Sequence, residues 1–185
     1  ARRVGVWLAA GCGEDIVERV VETVSEPSNA GRFPDYQAMD SETLEWFVRL
    51  LYQVLVVSVR TRDRHFLRQY AQLIAVRRRE EGFAAEEVQG FLGVMAENVG
   101  GSLRADPHLA GQEQAIHGHV GLAFQLAADG VEDAFETLSL PFSESLQRLQ
   151  TLELPRSPDD LERLVHQFEK ICGDQLTASG ERSEL

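Results

Sequence analysis

The sequence predicts an all-α protein, and two observations lead to that fold class. Apolar residues recur every three or four positions in several successive segments, which is the spacing that places them on one face of an α-helix. Turn-forming residues separate those segments, as in the loop 27–34, which contains prolines, a glycine, a serine and an asparagine. With 43% apolar residues among 185, the chain is long enough to bury the core of one domain.

The first two predicted helices lie on either side of the loop 27–34. The first carries four valines at helical spacing: Val17, Val20, Val21 and Val24. The second begins after Asp40, a favourable N-cap residue, and runs to about residue 60. Its apolar residues cover more than one face, which predicts a central and deeply buried helix. The run 54–59 is also compatible with a strand, but its helical flank and the lack of a partner strand favour the helix.

A third helix is predicted over about residues 63–81 and a fourth from about residue 84. The third has this periodic set: Phe66, Tyr70, Leu73, Ile74 and Arg77. A tight corner at Gly82 joins the two, and the acidic pair Glu86-Glu87 is placed to cap the start of the fourth. Gly100-Gly101 is a plausible end for that helix.

The longest pattern in the chain runs over about residues 107–138. Its apolar residues follow a near-heptad seam that resembles a helix–helix interface, and it is the candidate dimer seam of the protein. The residues of this seam that we single out are Ile116, Val120, Ala127, Val131 and Leu138. Two glycines weaken the helix locally, and Pro141 interrupts it.

The composition changes after Pro141 and sets the predicted domain organisation. Residues 1–140 form one helical domain, residues 141–178 a helical extension, and residues 179–185 a disordered tail. Within the extension, Ser157-Pro158-Asp159-Asp160 is typical of a helix start, and an amphipathic pattern follows it.

Charge and composition exclude several classes of function. The net charge is −12, so we expect no binding of nucleic acid through the overall field of the protein. No apolar run reaches the roughly 20 residues that cross a bilayer, so we expect no membrane partner. Cys12 and Cys172 match no metal-binding or redox spacing, which favours reduced thiols and a cytoplasmic location.

No catalytic motif is present, and we expect no enzyme activity and no cofactor. There is no Ser/His/Asp set, no phosphate loop and no dinucleotide fingerprint. His117 and His119 are two positions apart, which points their rings to different sides of a helix, and no third ligand is close to them in sequence. The sequence therefore predicts no metal site.

Two clusters have both a functional and a structural interpretation. Residues 60–79 hold seven arginines and one acid, and Arg77, Arg78 and Arg79 form a candidate partner face. The alternative is a solvated face whose arginines pair with acids on neighbouring helices.

A candidate ligand cavity is lined by Trp46, Phe47, Tyr70, Phe91 and Met95, and the alternative is that these side chains are plain core.

Three segments carry a resemblance to a known family. They are residues 15–21, the apolar helix 44–59, and the corner Arg77-Arg78-Arg79-Glu80-Glu81-Gly82-Phe83 with the five residues that follow it. In this order they resemble the amino-terminal sensor domain of stressosome proteins, the co-antagonists of the bacterial general stress response. The resemblance covers about residues 14–138. It departs from the family after residue 141, where the usual alternating β/α pattern is missing.

The resemblance implies a globin-like bundle of six to seven helices that has lost its haem, here with an extra C-terminal helix. It implies a homodimer and a protein partner in a signalling complex. The expected function is that of a non-enzymatic sensory input domain, in which a signal shifts the packing of helices. A haem or other small-ligand carrier and a protein-binding scaffold are the alternatives. No histidine occurs between His65 and His108, so only an altered alignment would let His65 or His117 ligate haem.

Overall fold

The computed structural model describes Val4, Leu8 and residues 13–136, and within that part every regular element is helical. The elements are α1 Gly13–Ser25, α2 Pro34–Ala38, α3 Ser41–Thr61, α4 His65–Glu80, α5 Ala85–Ala105, α6 Glu113–Ile116 and α7 Leu122–Glu136. Short turns of 3₁₀-helix occupy Pro27–Asn29 and Pro107–Leu109, and a π-helical turn occupies His117–Gly121. The all-α prediction is confirmed, whereas the predicted extension 141–178 and tail 179–185 lie outside the described residues.

Helix α3 is the centre of the bundle, as its apolar pattern predicts. The Asp40 side chain accepts a hydrogen bond from the Thr43 backbone N–H at 2.8 Å and one from the Thr43 hydroxyl at 2.6 Å, which fixes the start of the helix. The run 54–59 is buried along its whole length inside α3, so the strand alternative is wrong. Arg62 ends the helix in the left-handed conformation, with φ of 61°.

The corner between α4 and α5 forms at Gly82, where the sequence predicts it. Gly82 has φ of +94°, a conformation that glycine adopts without steric cost. The Phe83 N–H donates to the Arg78 carbonyl at 2.9 Å, and the Gly82 N–H donates to the Arg79 carbonyl at 3.1 Å. These bonds satisfy the last carbonyls of α4 and turn the chain directly into α5.

Helix α5 does not end at Gly100-Gly101 as predicted, but continues to Ala105. The reason is the burial of Leu103, which is completely enclosed one turn further on. Two glycines inside a helix cost about 0.5–1 kcal/mol each. Burying a leucine side chain contributes about 1.5–3 kcal/mol, which offsets that cost.

The predicted long helix over residues 107–138 is divided into several pieces. The Asp106 side chain accepts a hydrogen bond from the His108 N–H at 2.7 Å and starts a 3₁₀ turn, and Gly111 turns the chain with φ of +79°. The π-helical turn 117–121 then separates α6 from α7. It contains Gly118, whose carbonyl accepts a hydrogen bond from the Arg64 guanidinium. A π-helical turn holds one extra residue, so it shifts which of the following residues share a face of the helix. The spacing of apolar residues in the sequence does not show this shift.

The candidate dimer seam lies inside the chain and not on its surface. Ile116, Val120, Ala127 and Val131 are each 4% exposed or less and belong to the main hydrophobic core. The fifth seam residue, Leu138, lies outside the described residues. The prediction that this seam faces a second copy is therefore wrong for the four residues described, because the chain's own α3, α4 and α5 already cover them.

The contact between α4 and α7 is the most extensive between two helices of the described part. It is close because Gly130 has no side chain. A Cβ placed on Gly130 would lie 3.0 Å from the Arg68 Cγ, 3.1 Å from the Gln72 Cγ and 3.2 Å from the Arg68 carbonyl oxygen. Helix α7 therefore fits against the backbone of α4 at this point.

Candidate functional site

A cavity of about 20 Å³ lies between α3, α4, α5 and α7, with Tyr36 of α2 at one side. A cavity of that size is large enough for one water molecule. Of the five residues predicted to line a cavity, Phe47, Tyr70 and Phe91 do so. The other two do not: Met95 is fully buried core, and Trp46 is half-buried with its ring edge-on to Phe47 at 5.1 Å. Three residues of this cluster therefore line a cavity, and whether that cavity holds a ligand stays a prediction.

Arg78 is the one cationic residue among those that line the cavity. Its side chain is 3% exposed, whereas the side chain of Arg77 is 44% exposed. Arg79 is half-buried and donates to the Ala134 carbonyl on α7 at 3.3 Å. The three arginines do not share a face, since consecutive residues of a helix point about 100° apart. The candidate partner face is therefore wrong as a common surface.

Three aromatic rings surround the guanidinium of Arg78. Its central carbon lies 4.2 Å from the centre of the Phe47 ring, 4.8 Å from that of Phe83 and 5.3 Å from that of Tyr36. Each such contact contributes about 0.5–2 kcal/mol when the cation is shielded from water. The three rings come from α3, from the α4–α5 corner and from α2, so Arg78 links all of these parts of the bundle.

The hydrogen bonding of Arg78 is incomplete. Its Nη1 donates to the Glu81 carboxylate at 2.6 Å. Its Nε and Nη2 are buried and have no hydrogen-bond partner among the described residues. A guanidinium carries five N–H donors, and leaving those of a buried cation unpaired costs on the order of 1–3 kcal/mol or more.

Glu87 on the first turn of α5 caps a different helix from the one that the sequence predicts. Its Oε1 accepts hydrogen bonds from the backbone N–H groups of Asp35 and Tyr36, both at 2.9 Å, at the start of α2. Its Oε2 is buried without a partner in the described part of the chain. Burial raises the pKa of Glu87 above its ordinary value, although the bond from Tyr36 acts in the opposite direction.

Two buried tyrosines complete the polar part of the cavity wall. Tyr36 is stacked on Phe91, with ring centres 4.5 Å apart. Burial raises the pKa of Tyr36 to about 12, although the positive charge of Arg78 lowers it. Burial also raises the pKa of Tyr70 well above its usual range. Both phenols are consequently neutral near pH 7 and keep an O–H that can donate a hydrogen bond.

Sequence reasoning missed Arg78 and Tyr36 as residues of this site. The spacing Tyr70, Ile74, Arg78 continues one helical face by steps of four, and this signal was present. The alternative spacing Leu73, Arg77 is also a step of four, and it places Arg77 on the inward face instead of Arg78. Tyr36 gave no signal, since it falls in a helix of five residues.

No histidine of the described residues lines this cavity. His65 is exposed at the start of α4, and His117 is exposed in the π-helical turn. Burial lowers the pKa of the half-buried His119, and the nearby charges of Arg64 and Arg62 lower it further. Within residues 13–136 no three metal-binding side chains form a group that could hold an ion. The cavity is also far smaller than a porphyrin.

None of the helices in the described part of the chain combines the length and hydropathy that crossing a membrane requires.

Comparison with known proteins found no matching protein-family model, no matching curated protein and no matching solved structure. The fold and the site therefore define the class of protein as an all-α helical bundle with a cavity beside a buried arginine.

Proposed function

We propose that this chain is a non-enzymatic regulatory input domain in which a small ligand, held in the cavity beside Arg78, changes the packing of the helices. The observation that carries the proposal is a fully buried cation with unused donors on the wall of a cavity. Polar groups of that kind are normally paired in folded proteins, and an unpaired one is a place where a ligand gains binding energy.

The residues around the cavity favour binding over catalysis. Its ionisable side chains are Tyr36, Tyr70 and Arg78, and the remaining lining residues are apolar. Both phenols stay neutral near pH 7, because burial raises their pKa values. General acid–base catalysis needs a group that changes its protonation near the working pH. The cavity wall offers none.

The position of Arg78 suits the transmission of a signal. Its guanidinium contacts Phe47 of α3, Tyr36 of α2 and Phe83 of the corner. A ligand that takes up the free donors changes the balance between these contacts. The ligand therefore binds one packing of the helices more tightly than another. A ligand-driven switch requires such a difference in affinity between its two states. Val131 also lines the cavity, so the same change reaches α7.

The resemblance to stressosome sensor domains supports a role in bacterial stress signalling, with a cytoplasmic homodimer and a protein partner in a signalling complex. In such an assembly the second copy would contact exposed residues, since the seam 116–131 is buried. The two alternatives receive less support. A haem carrier needs far more than about 20 Å³. A scaffold that binds through the arginines would have to break the bond between Arg77 and Glu81, which is 2.8 Å long.

Hydrogen exchange on the isolated chain tests the proposal. The chain is measured alone and with the fraction of a bacterial cell extract below about 1 kDa, and native mass spectrometry records the oligomer and any retained molecule. We expect slower exchange at residues 74–92 and 122–136 together, and an Arg78→Met variant that does not respond. The control Arg77→Met should respond like the unmodified chain. If no extract fraction alters exchange in either segment, the chain is not an input domain of this kind.

A further inference from the structure

We propose that the cavity beside Arg78 is a binding site for one small monovalent anion, either a halide or formate. This inference rests on the proposed function and specifies the class of ligand. It is carried by the free donors of Arg78 and by the size and polarity of the cavity.

The two free donors of Arg78 lie on the same edge of its guanidinium. In arginine the Nε–H and one N–H of Nη2 are parallel and point in the same direction, away from Nη1. Glu81 occupies Nη1, so the edge formed by Nε and Nη2 is the one left free. That edge matches the two oxygens of a carboxylate, and a single halide can accept both N–H groups at once.

The aromatic rings do not replace an acceptor at this edge. A cation–π contact places a ring against the face of the guanidinium, whereas the N–H bonds lie in its plane. The rings of Phe47, Phe83 and Tyr36 stabilise the charge at distances of 4.2 to 5.3 Å from the guanidinium carbon. The Tyr36 hydroxyl lies near Arg78, and the interaction between them lowers the pKa of Tyr36, but it makes no hydrogen bond of normal geometry with these donors. The edge can therefore still take an acceptor.

The ion pairs at the end of α4 leave the edge of Arg78 formed by Nε and Nη2 without a carboxylate among the described residues. Glu81 has one negative charge and is shared between two arginines, since its Oε1 accepts from Arg77 at 2.8 Å and its Oε2 accepts from Arg78 at 2.6 Å. Glu80 lies 3.9 Å from Arg77, on the exposed side of the helix. Glu87 is buried nearby but makes no ion pair with Arg78 among the described residues. Arg77 and Arg78 together meet two carboxylates, those of Glu80 and Glu81, so the formal charges of these four residues cancel. What the free edge of Arg78 lacks among the described residues is a hydrogen-bond acceptor.

Size and polarity select within the anions. A volume of about 20 Å³ accommodates a ligand close to the size of a water molecule. Most of the wall is apolar, so a doubly charged and strongly hydrated ion such as sulfate would lose more hydration than it regains. The neutral side chains of Tyr36 and Tyr70 also line the space. These features favour a halide or formate over larger or divalent anions.

Bromide NMR measures binding directly on the unmodified chain. We expect the protein to broaden the ⁸¹Br resonance, and formate to reverse the broadening by competition. We also expect the unfolding midpoint to rise in a saturable way when sodium gluconate is replaced by sodium chloride or formate at constant ionic strength and pH 7. At 100 times the Kd, the ratio of folded to unfolded protein should rise about 100-fold.

Three variants separate a site from a structural cation. Arg78→Met should abolish broadening and the anion-dependent shift, while Arg77→Met, which changes the exposed neighbour, should keep both. If Arg78→Met does not fold, Arg78→Lys decides the question, since lysine keeps the charge but lacks the two-donor edge. It should retain weakened halide binding and lose most formate binding. The inference is wrong if the unmodified chain gives no competitive broadening, or if Arg78→Lys retains full formate binding.

The outcomes also separate this inference from the proposed function. If an extract fraction slows exchange at residues 74–92 while no simple anion binds, the ligand is of another class and the input domain remains. If neither the extract nor the anions have an effect, both proposals fail, and Arg78 is a structural cation that ties the corner to α3.

Discussion

The guanidinium of Arg78 lies 4.2 Å from the centre of the Phe47 ring, and this contact joins the last turn of α4 to the first half of α3. An arginine at the end of a helix normally reaches into water and interacts with the helix dipole there. Here the chain turns at Gly82, and Phe83 closes over the same side chain at 4.8 Å. The corner therefore encloses a cation, and that enclosure makes this part of the bundle a candidate for ligand control.

The buried carboxyl of Glu87 should make stability depend on pH. Its folded-state pKa is raised above the ordinary value of 4.5 by burial. A group of this kind contributes stability that is fully present below the unfolded pKa and is lost as the pH rises through the folded pKa. We therefore compare the free energy of unfolding of the unmodified chain with that of Glu87→Gln. The unmodified chain should lose stability relative to this variant as the pH rises from about 4. Urea unfolding of both proteins at a series of pH values measures this difference, and a flat difference would contradict the assignment.

The close approach of α4 and α7 at Gly130 predicts a steep cost for any larger side chain there. The nearest atom that cannot rotate away is the Arg68 carbonyl oxygen, 3.2 Å from the position of a Cβ. We expect Gly130→Val to lower the free energy of unfolding by about 1–3 kcal/mol through overpacking. Gly101→Val is the matched control, since nothing lies within 4 Å of a Cβ at Gly101. Its effect should stay within about 0.5 kcal/mol, and equal losses at both positions would show that α7 does not pack in this way.

The burial of the seam predicts what happens when a charge is placed in it. Val131 is completely buried, so Val131→Glu would bring a carboxylate into the core without a partner. We expect the loss of cooperative thermal unfolding, because an uncompensated buried charge costs several kcal/mol. The exposed neighbour Glu132 provides the control, since Glu132→Gln should unfold like the unmodified chain. A Val131→Glu protein that remains folded and changes only its oligomeric mass would restore the seam as an interface between copies.

The size of the cavity predicts that the protein does not take up haem. About 20 Å³ is available, and the residues that line it include no histidine. We expect the absorbance of the purified protein to lack a Soret band, and added haemin to give no saturable one-to-one band. His65 and His117 are both exposed, so either could ligate haem at the surface. The variants His65→Ala and His117→Ala would remove such surface binding and leave internal binding unchanged. A Soret band that is retained on purification would overturn the non-haem prediction.

The sequence by itself determined the features that depend on neighbours along the chain. The Asp40 cap fixes the start of α3 through a bond to Thr43, three residues later. The corner at Gly82 follows from a backbone conformation that glycine adopts freely. The all-α class follows from periodicity, which is also local. These features can be read from the residues because the interactions that decide them span only a few positions.

The tertiary structure alone decided which partners the helical faces meet. An apolar stripe such as Ile116 to Val131 has the same pattern whether it packs against its own chain or a second copy, so the sequence left its partner open. The choice between Arg77 and Arg78 as the inward residue depends on the exact rotation at the end of α4. The capping of α2 by Glu87 links residues more than 50 positions apart. Such contacts depend on how the helices are arranged in space, and no short stretch of residues contains that information.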